Sequence, residues 1–193
     1  MSVLPLESLA SPQAAPTRRL GLYDTWWTVA AAALAACLAL SACAWMSLHL
    51  RVDATLHAVA LFAHLASLVL GFGAVLVADY YALLYLTGRC TLRDALNCTA
   101  HLHVPIWTGL AGLVASGAML HPNLASTLTR VKLGLVLALT LNGLQAGILN
   151  RRMAQQGGAA LTPRLLAWGA ATALVSQVCW WGAVVIGFRN SRH

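Results

Sequence analysis

Charged residues are scarce in this sequence. Only 9% of its 193 residues are Asp, Glu, Lys or Arg, and only five are acidic, whereas soluble domains carry roughly 25% charge. With 60% hydrophobic residues, a soluble chain of this size could not hide its apolar surface in one core. The shortage of charge therefore excludes an ordinary soluble domain and indicates a membrane protein.

Several motifs that carry chemistry are also missing. The sequence has no Walker, GxSxG, HExxH or CxxC motif, so no soluble-enzyme chemistry is predicted. Basic residues are not interleaved with aromatic residues, so nucleic acid is not an expected partner. The apolar runs lack the period-two alternation of barrel strands, so they are expected to cross the bilayer as helices. The five cysteines are interpreted mainly as small hydrophobes.

The sequence contains five long runs without charged residues. These runs predict an all-α polytopic protein with five transmembrane helices. The expected spans are about 25–50, 56–78, 104–120, 129–149 and 165–188. The second helix is open to extension as far as Leu86, because no helix breaker precedes Gly88. Pro105 is expected in the first turn of the third span, where its missing N–H costs little.

The domain organisation follows from these runs. Residues 1–22 are expected to form a flexible tail, and residues 23–193 a single integral membrane domain. Spans two to five predict a four-helix bundle core, with span one peripheral because its Ala-rich surface offers few polar anchors. Two tetrapeptides in span one, ending at Cys37 and Cys43, resemble lipoprotein cleavage sites, but we expect the run to remain a transmembrane helix.

The basic residues predict how the chain is oriented. With five spans, seven Lys and Arg residues fall on the side of the N-terminus and five on the other: Arg18, Arg19, Arg89, Arg93, Arg151, Arg152 and Arg164 against Arg51, Arg130, Lys132, Arg189 and Arg192. The excess favours a cytoplasmic N-terminus and an external C-terminus in a bacterial inner (plasma) membrane.

Histidines interrupt the second span and are the first candidate site residues. His57 and His64 are seven residues apart, which places them on nearly the same helix face. We expect His64 to face the bundle interior, because an imidazole facing lipid would lose its hydrogen bonds to water. His57, His121 and Lys132 are expected in one outer layer. One interpretation is structural; the other makes His57, His64 and His121 ligands of a single haem b or a copper ion.

Three further polar residues lie in or beside the spans. Lys132 either has a function or extends its ammonium to the headgroups. Asn142 is typical of helix-to-helix hydrogen bonding. Asp79, near the inner interface, is expected to pair with Arg89 or Arg93 rather than to relay protons.

Small residues four apart indicate close helix packing. Gly112 with Ser116, and Gly143 with Gly147, form small-xxx-small pairs. These faces predict tight contacts within the chain or in a homo-oligomer.

Three segments carry a resemblance to a known family: "FAHLASLVLGFGAVL" with His64, "LAGLVASGAML", and "LTRVKLGLVLALTLNG" with Lys132 and Asn142. From about Thr55 to Arg152 the chain resembles small bacterial membrane proteins of the copper-resistance protein D and HemJ-like type. The resemblance implies a four-helix core and a role for haem or copper. HemJ-like proteins carry an intramembrane histidine and a lysine before an apolar run, to which His57 or His64 and Lys132 correspond.

Three functions are compatible with these residues. The first is a membrane protein that binds one haem or a copper ion for redox chemistry or metal handling. The second is a cofactor-free transporter or channel for a small solute, ion or proton, using His64, Lys132, Asn142 and Asp79. The third is an assembly or scaffold module that uses its glycine faces.

Overall fold

The computed structural model describes residues 26–49, 53–120, 122–155 and 162–190. These residues form five α-helices and, within those ranges, no strand: α1 (Trp26–His49), α2 (Ala54–Leu86), α3 (Leu92–Met119), α4 (Thr127–Gln155) and α5 (Pro163–Asn190). All five are long and apolar enough to cross a membrane, so the protein is a multi-pass helical membrane protein, as predicted. The tail predicted over residues 1–22 lies outside the described residues. We call the membrane face where α1 begins the N-side, and the face where α5 ends the C-side.

The ends of α2 and α3 have local causes. The Asp53 side chain caps α2 by accepting a hydrogen bond of 2.7 Å from Leu56 N–H. After Leu86 the chain turns at Gly88, whose positive φ of 72° suits a residue without a β-carbon. The extension of α2 to Leu86 is therefore confirmed.

The third helix begins earlier than predicted. Thr91 and Asp94 form a capping box that starts α3 at Leu92. Pro105 consequently lies inside the helix, and the prediction that it occupies the first helical turn is wrong. The cap residues decide where the helix starts, while the run of apolar residues marks only the part in hydrocarbon.

Two pairs of consecutive helices make the most extensive contacts: α2 packs along α3, and α4 packs along α5. The remaining helix, α1, lies against α3 and α4. Ser47 is the one buried side chain among those described in α1. Most of the α1 surface therefore faces the membrane, which confirms its peripheral position.

The α2–α3 contact depends on glycine. A β-carbon built on Gly109 would overlap the backbone of Gly71, and one built on Gly112 would overlap Ser67 Oγ. The two backbones approach closely because no side chain separates them. The packing prediction is confirmed for Gly112 with Ser116, whereas pairing of two copies stays a prediction.

An apolar core closes the middle of the bundle. We call it the aromatic core, and its buried members are Phe72, Val75, Leu110, Leu139, Cys179 and Trp180. The rings of Phe72 and Trp180 stack with centroids 5.4 Å apart, and Trp181 meets Phe72 edge-on at 5.0 Å. Since lipid tails are as apolar as these side chains, close packing and not the hydrophobic effect holds them together.

Candidate functional site

His64 is placed in the bundle by a hydrogen bond between two helices. Its ring is half-buried, and Nδ1 lies 3.0 Å from Ser116 Oγ of α3. The hydroxyl of Ser116 donates to the Gly112 carbonyl at 2.5 Å. Because a hydroxyl has one proton, Ser116 Oγ is left to accept from His64 Nδ1–H. The Leu113 carbonyl is a further acceptor beside the ring.

Glycine also makes room for this ring. A β-carbon on Gly117 would lie 3.4 Å from His64 Cε1. The ring therefore lies against α3, and an alanine at Gly117 would meet it at an ordinary contact distance. This confirms that His64 faces the bundle interior.

Lys132 lies in the C-side half of the bundle, as His64 does. Its side chain is half-buried, and Nζ would be 3.6 Å from a β-carbon built on Gly187 of α5. His64, Ser116 and Lys132 thus come from three helices within this half of the bundle, and we call this group the His–Lys cluster.

No carboxylate among the described residues bonds to Lys132. Asp53 and Asp94 cap α2 and α3, and Asp79 is held by Gln177. A charged ammonium without a counter-ion is costly within a membrane. The His–Lys cluster therefore favours either a neutral lysine or a bound species that compensates its charge.

The remaining predicted ligands do not join this cluster. His57 is exposed, one turn into α2, because the first turns of α2 extend past the end of α3. The outer layer predicted for Lys132 with His57 stays a prediction, because no contact among the described residues fixes their relative height. His121 lies outside the described residues. Within the described ranges, no three His, Cys, Asp or Glu side chains form a group able to hold a metal ion.

Asp79 sits in a second polar group near the N-side end of α2. Gln177 Nε2 donates to Asp79 Oδ2, and Trp181 Nε1 donates to Gln177 Oε1 at 3.0 Å. The expected arginine partners, Arg89 and Arg93, are both exposed. An amide of α5 thus takes the position predicted for a guanidinium, because α5 packs against this part of α2.

Asn142 joins α4 to α5. Its Nδ2 donates to the Thr172 carbonyl at 2.9 Å, as expected for an intramembrane amide that holds helices together. A cleft of about 420 Å³ opens beside this bond on the α4–α5 surface. The role of Asn142 is thus structural in this arrangement, whatever the cleft holds.

Three contributors to these groups were missed by the sequence reasoning. Ser116 was assigned only to packing, Gln177 was overlooked in an apolar span, and Trp180 was not singled out. Gln177 had a usable signal, because an amide within a span requires a partner. The bond between Ser116 and His64 had no local signal, since 52 residues separate them.

Comparison of the chain with protein-family models, curated proteins and solved structures finds no match.

Proposed function

We propose that this protein moves protons across the membrane, alone or with a small solute, and that the His–Lys cluster binds the proton. The observation that carries the proposal is an intramembrane imidazole, His64, bonded to Ser116 in the same half of the bundle as Lys132, which has no carboxylate partner among the described residues. Ionisable side chains in a membrane interior are costly, and they commonly mark ion pathways or proton relays.

The chemistry of the cluster supports proton exchange. The imidazole of neutral His64 accepts a proton while Ser116 holds the ring in place through Nδ1. Two positive charges in the same half of a low-dielectric interior repel each other. The pair therefore favours a single shared proton over two, which makes its proton easy to release when another charge approaches.

A second proton-binding group is available on the other side of the aromatic core. Asp79 lies 15 residues after His64 on α2, a rise of about 22 Å. The aromatic core separates the two levels and closes the bundle, as hydrophobic constrictions do in gated pathways. Trp180 Nε1 is buried there without a hydrogen-bond partner in the described part of the chain. This indole N–H could donate a hydrogen bond to a water molecule that enters the core.

The test is proton flux in liposomes. The purified full chain is reconstituted with a pH-sensitive dye inside, and flux is driven by a potassium gradient with valinomycin. We expect His64→Ala to lower the flux by about tenfold or more, because the variant loses its proton acceptor. His101→Ala is the control, since His101 is exposed on α3 and bonds only locally to the Asn97 carbonyl.

Two results would contradict the proposal. One is wild-type flux equal to that of empty liposomes. The other is an equal loss in His64→Ala and His101→Ala when both variants elute as folded protein, because general damage would then explain the effect.

A single haem is the second candidate, favoured by the occurrence of an intramembrane imidazole and a lysine in the same half of the bundle. His64 would hold the iron through its imidazole and Lys132 would pair with a haem carboxylate, and haem would supply redox chemistry. These two residues match what the resemblance to HemJ-like proteins implies. Copper fits less well, because Lys132 would repel the cation. A Soret band that His64→Ala abolishes and His101→Ala retains would favour this candidate over proton movement.

The orientation proposed from the basic residues places the N-side in the cytoplasm. Burial of Lys132 in the bundle removes it from the C-side count and strengthens the bias. In a chain without native cysteines, we expect an impermeant thiol reagent added to intact cells to label Asn123→Cys on the C-side. Thr162→Cys on the N-side should react only after permeabilisation. The reverse labelling pattern would overturn this orientation.

A further inference from the structure

A second cleft lies between α3 and α4 on the N-side and is independent of the proposed proton site. Its volume is about 400 Å³, and its lining includes His103, Trp107, Gly143, Gly147, Asn150 and Arg151. The lining changes in character along its length. Small and aromatic residues lie toward the membrane interior, and polar residues lie toward the N-side surface.

The polar end contains two groups that lack a partner. His103 Nε2 and Asn150 Oδ1 are both buried and have no hydrogen-bond partner in the described part of the chain. Buried polar atoms are nearly always satisfied, so two unpartnered atoms on residues that line a cleft are unusual. Neither atom is accessible to water as the side chains stand, so a ligand in the cleft would meet them only after the side chains turn toward it. Arg151 adds a positive charge to the same wall.

The apolar end is kept open by glycine. A β-carbon on Gly143 would lie 3.2 Å from Trp107 Cζ2, so the indole forms the floor of the cleft. A β-carbon on Gly147 would meet nothing within 4 Å. The groove beside α4 is therefore open where a branched side chain would have closed it.

We propose that this cleft binds one anionic phospholipid whose headgroup also carries hydroxyls, of the phosphatidylglycerol class. The phosphate accepts hydrogen bonds from the Arg151 guanidinium and, once the His103 ring has turned toward the cleft, from its Nε2–H. A headgroup hydroxyl donates to Asn150 Oδ1, and an acyl chain lies along the groove beside Gly147. Basic clefts between transmembrane helices are suited to anionic lipid headgroups, and this one offers a distinct partner to each part of the molecule.

The test measures lipid binding to the purified full chain in detergent by native mass spectrometry. Phosphatidylglycerol is compared with phosphatidylcholine of the same acyl chains and with soluble glycerol 3-phosphate. We expect phosphatidylglycerol to bind about tenfold more tightly than phosphatidylcholine, and glycerol 3-phosphate not to bind at the same concentrations. Equal binding of the two lipids would overturn the proposal, and so would equally tight binding of the soluble phosphate.

Neighbouring arginines provide a matched pair of variants. Arg151 lines the cleft, whereas Arg152 lies over the Trp168 ring of α5, 5.9 Å from its centroid. Each substitution by glutamine removes one charge from the same helical turn. We expect Arg151→Gln to weaken phosphatidylglycerol binding and Arg152→Gln to leave it nearly unchanged. Equal weakening by both would mean general attraction to a basic surface and would contradict a built site.

A steric variant tests the groove with every charge retained. Gly147→Leu extends a side chain beside α4 from a position whose β-carbon would meet nothing within 4 Å. We expect this variant to remain folded and to lose the preference for phosphatidylglycerol. Wild-type binding by Gly147→Leu would contradict occupation of the groove by an acyl chain.

Discussion

Gly109→Ala is expected to destabilise the folded protein by about 3 kcal/mol, the upper part of the range for overpacking a close contact. The new methyl group would overlap the Cα and N atoms of Gly71 and approach the Ser67 carbonyl oxygen. These are backbone atoms in two long helices, so α2 and α3 must move apart to admit it. The loss can be measured as a shift in unfolding by sodium dodecyl sulfate in mixed micelles.

Two glycines of the facing helix α2 provide comparisons that make this prediction specific. Gly73→Ala adds its methyl group where nothing lies within 4 Å, so it should be neutral or stabilise by up to about 1 kcal/mol through helix propensity. Gly71→Ala would contact Gly109 Cα and the Trp180 ring at 3.2 Å and should fall between the two. Equal stability of the Gly109 and Gly73 variants would show that the helices are not in close backbone contact there.

Lys132→Arg is expected to reduce proton flux by about tenfold or more although it preserves the positive charge. Lysine releases its proton when its surroundings oppose the charge, whereas a guanidinium stays protonated in proteins. A fixed charge beside His64 would hold its ring neutral and stop the exchange of a shared proton. The liposome assay described for His64→Ala measures this effect.

The comparison with Lys132→Met separates two roles for the lysine. If Lys132 exchanges protons, the arginine and methionine variants should both lose flux. If it only supplies positive charge, arginine should retain flux and methionine should not. Retained flux in Lys132→Arg would therefore refute an exchanging lysine while leaving the rest of the cluster in place.

The fold class could be read from the sequence because the membrane imposes it. Backbone groups without access to water must bond within a helix, so long apolar runs predict spans directly. The helix ends were less predictable. The capping box at Thr91 extends α3 well outside the apolar run, and Pro105 is tolerated within it.

The candidate site was predictable only as a set of residue types. The interior position of His64 followed from the cost of exposing imidazole to lipid, and that expectation is confirmed. Its partners depended on the relative height of helices that sequence does not specify. The overhang of α2 beyond α3 left His57 exposed, and a side chain of α5 that reaches α2 gave Asp79 an amide partner.

The pairing of α2 with α3 and of α4 with α5 also bears on how the protein is assembled. Each pair is a hairpin of consecutive helices, so most of its contacts become available as soon as the second helix has entered the bilayer. Assembly dominated by local contacts needs little search. The α2–α3 hairpin can form its glycine contact before α4 and α5 have been synthesised, which places the ring of His64 against Ser116 early and leaves Lys132 to arrive with the second hairpin.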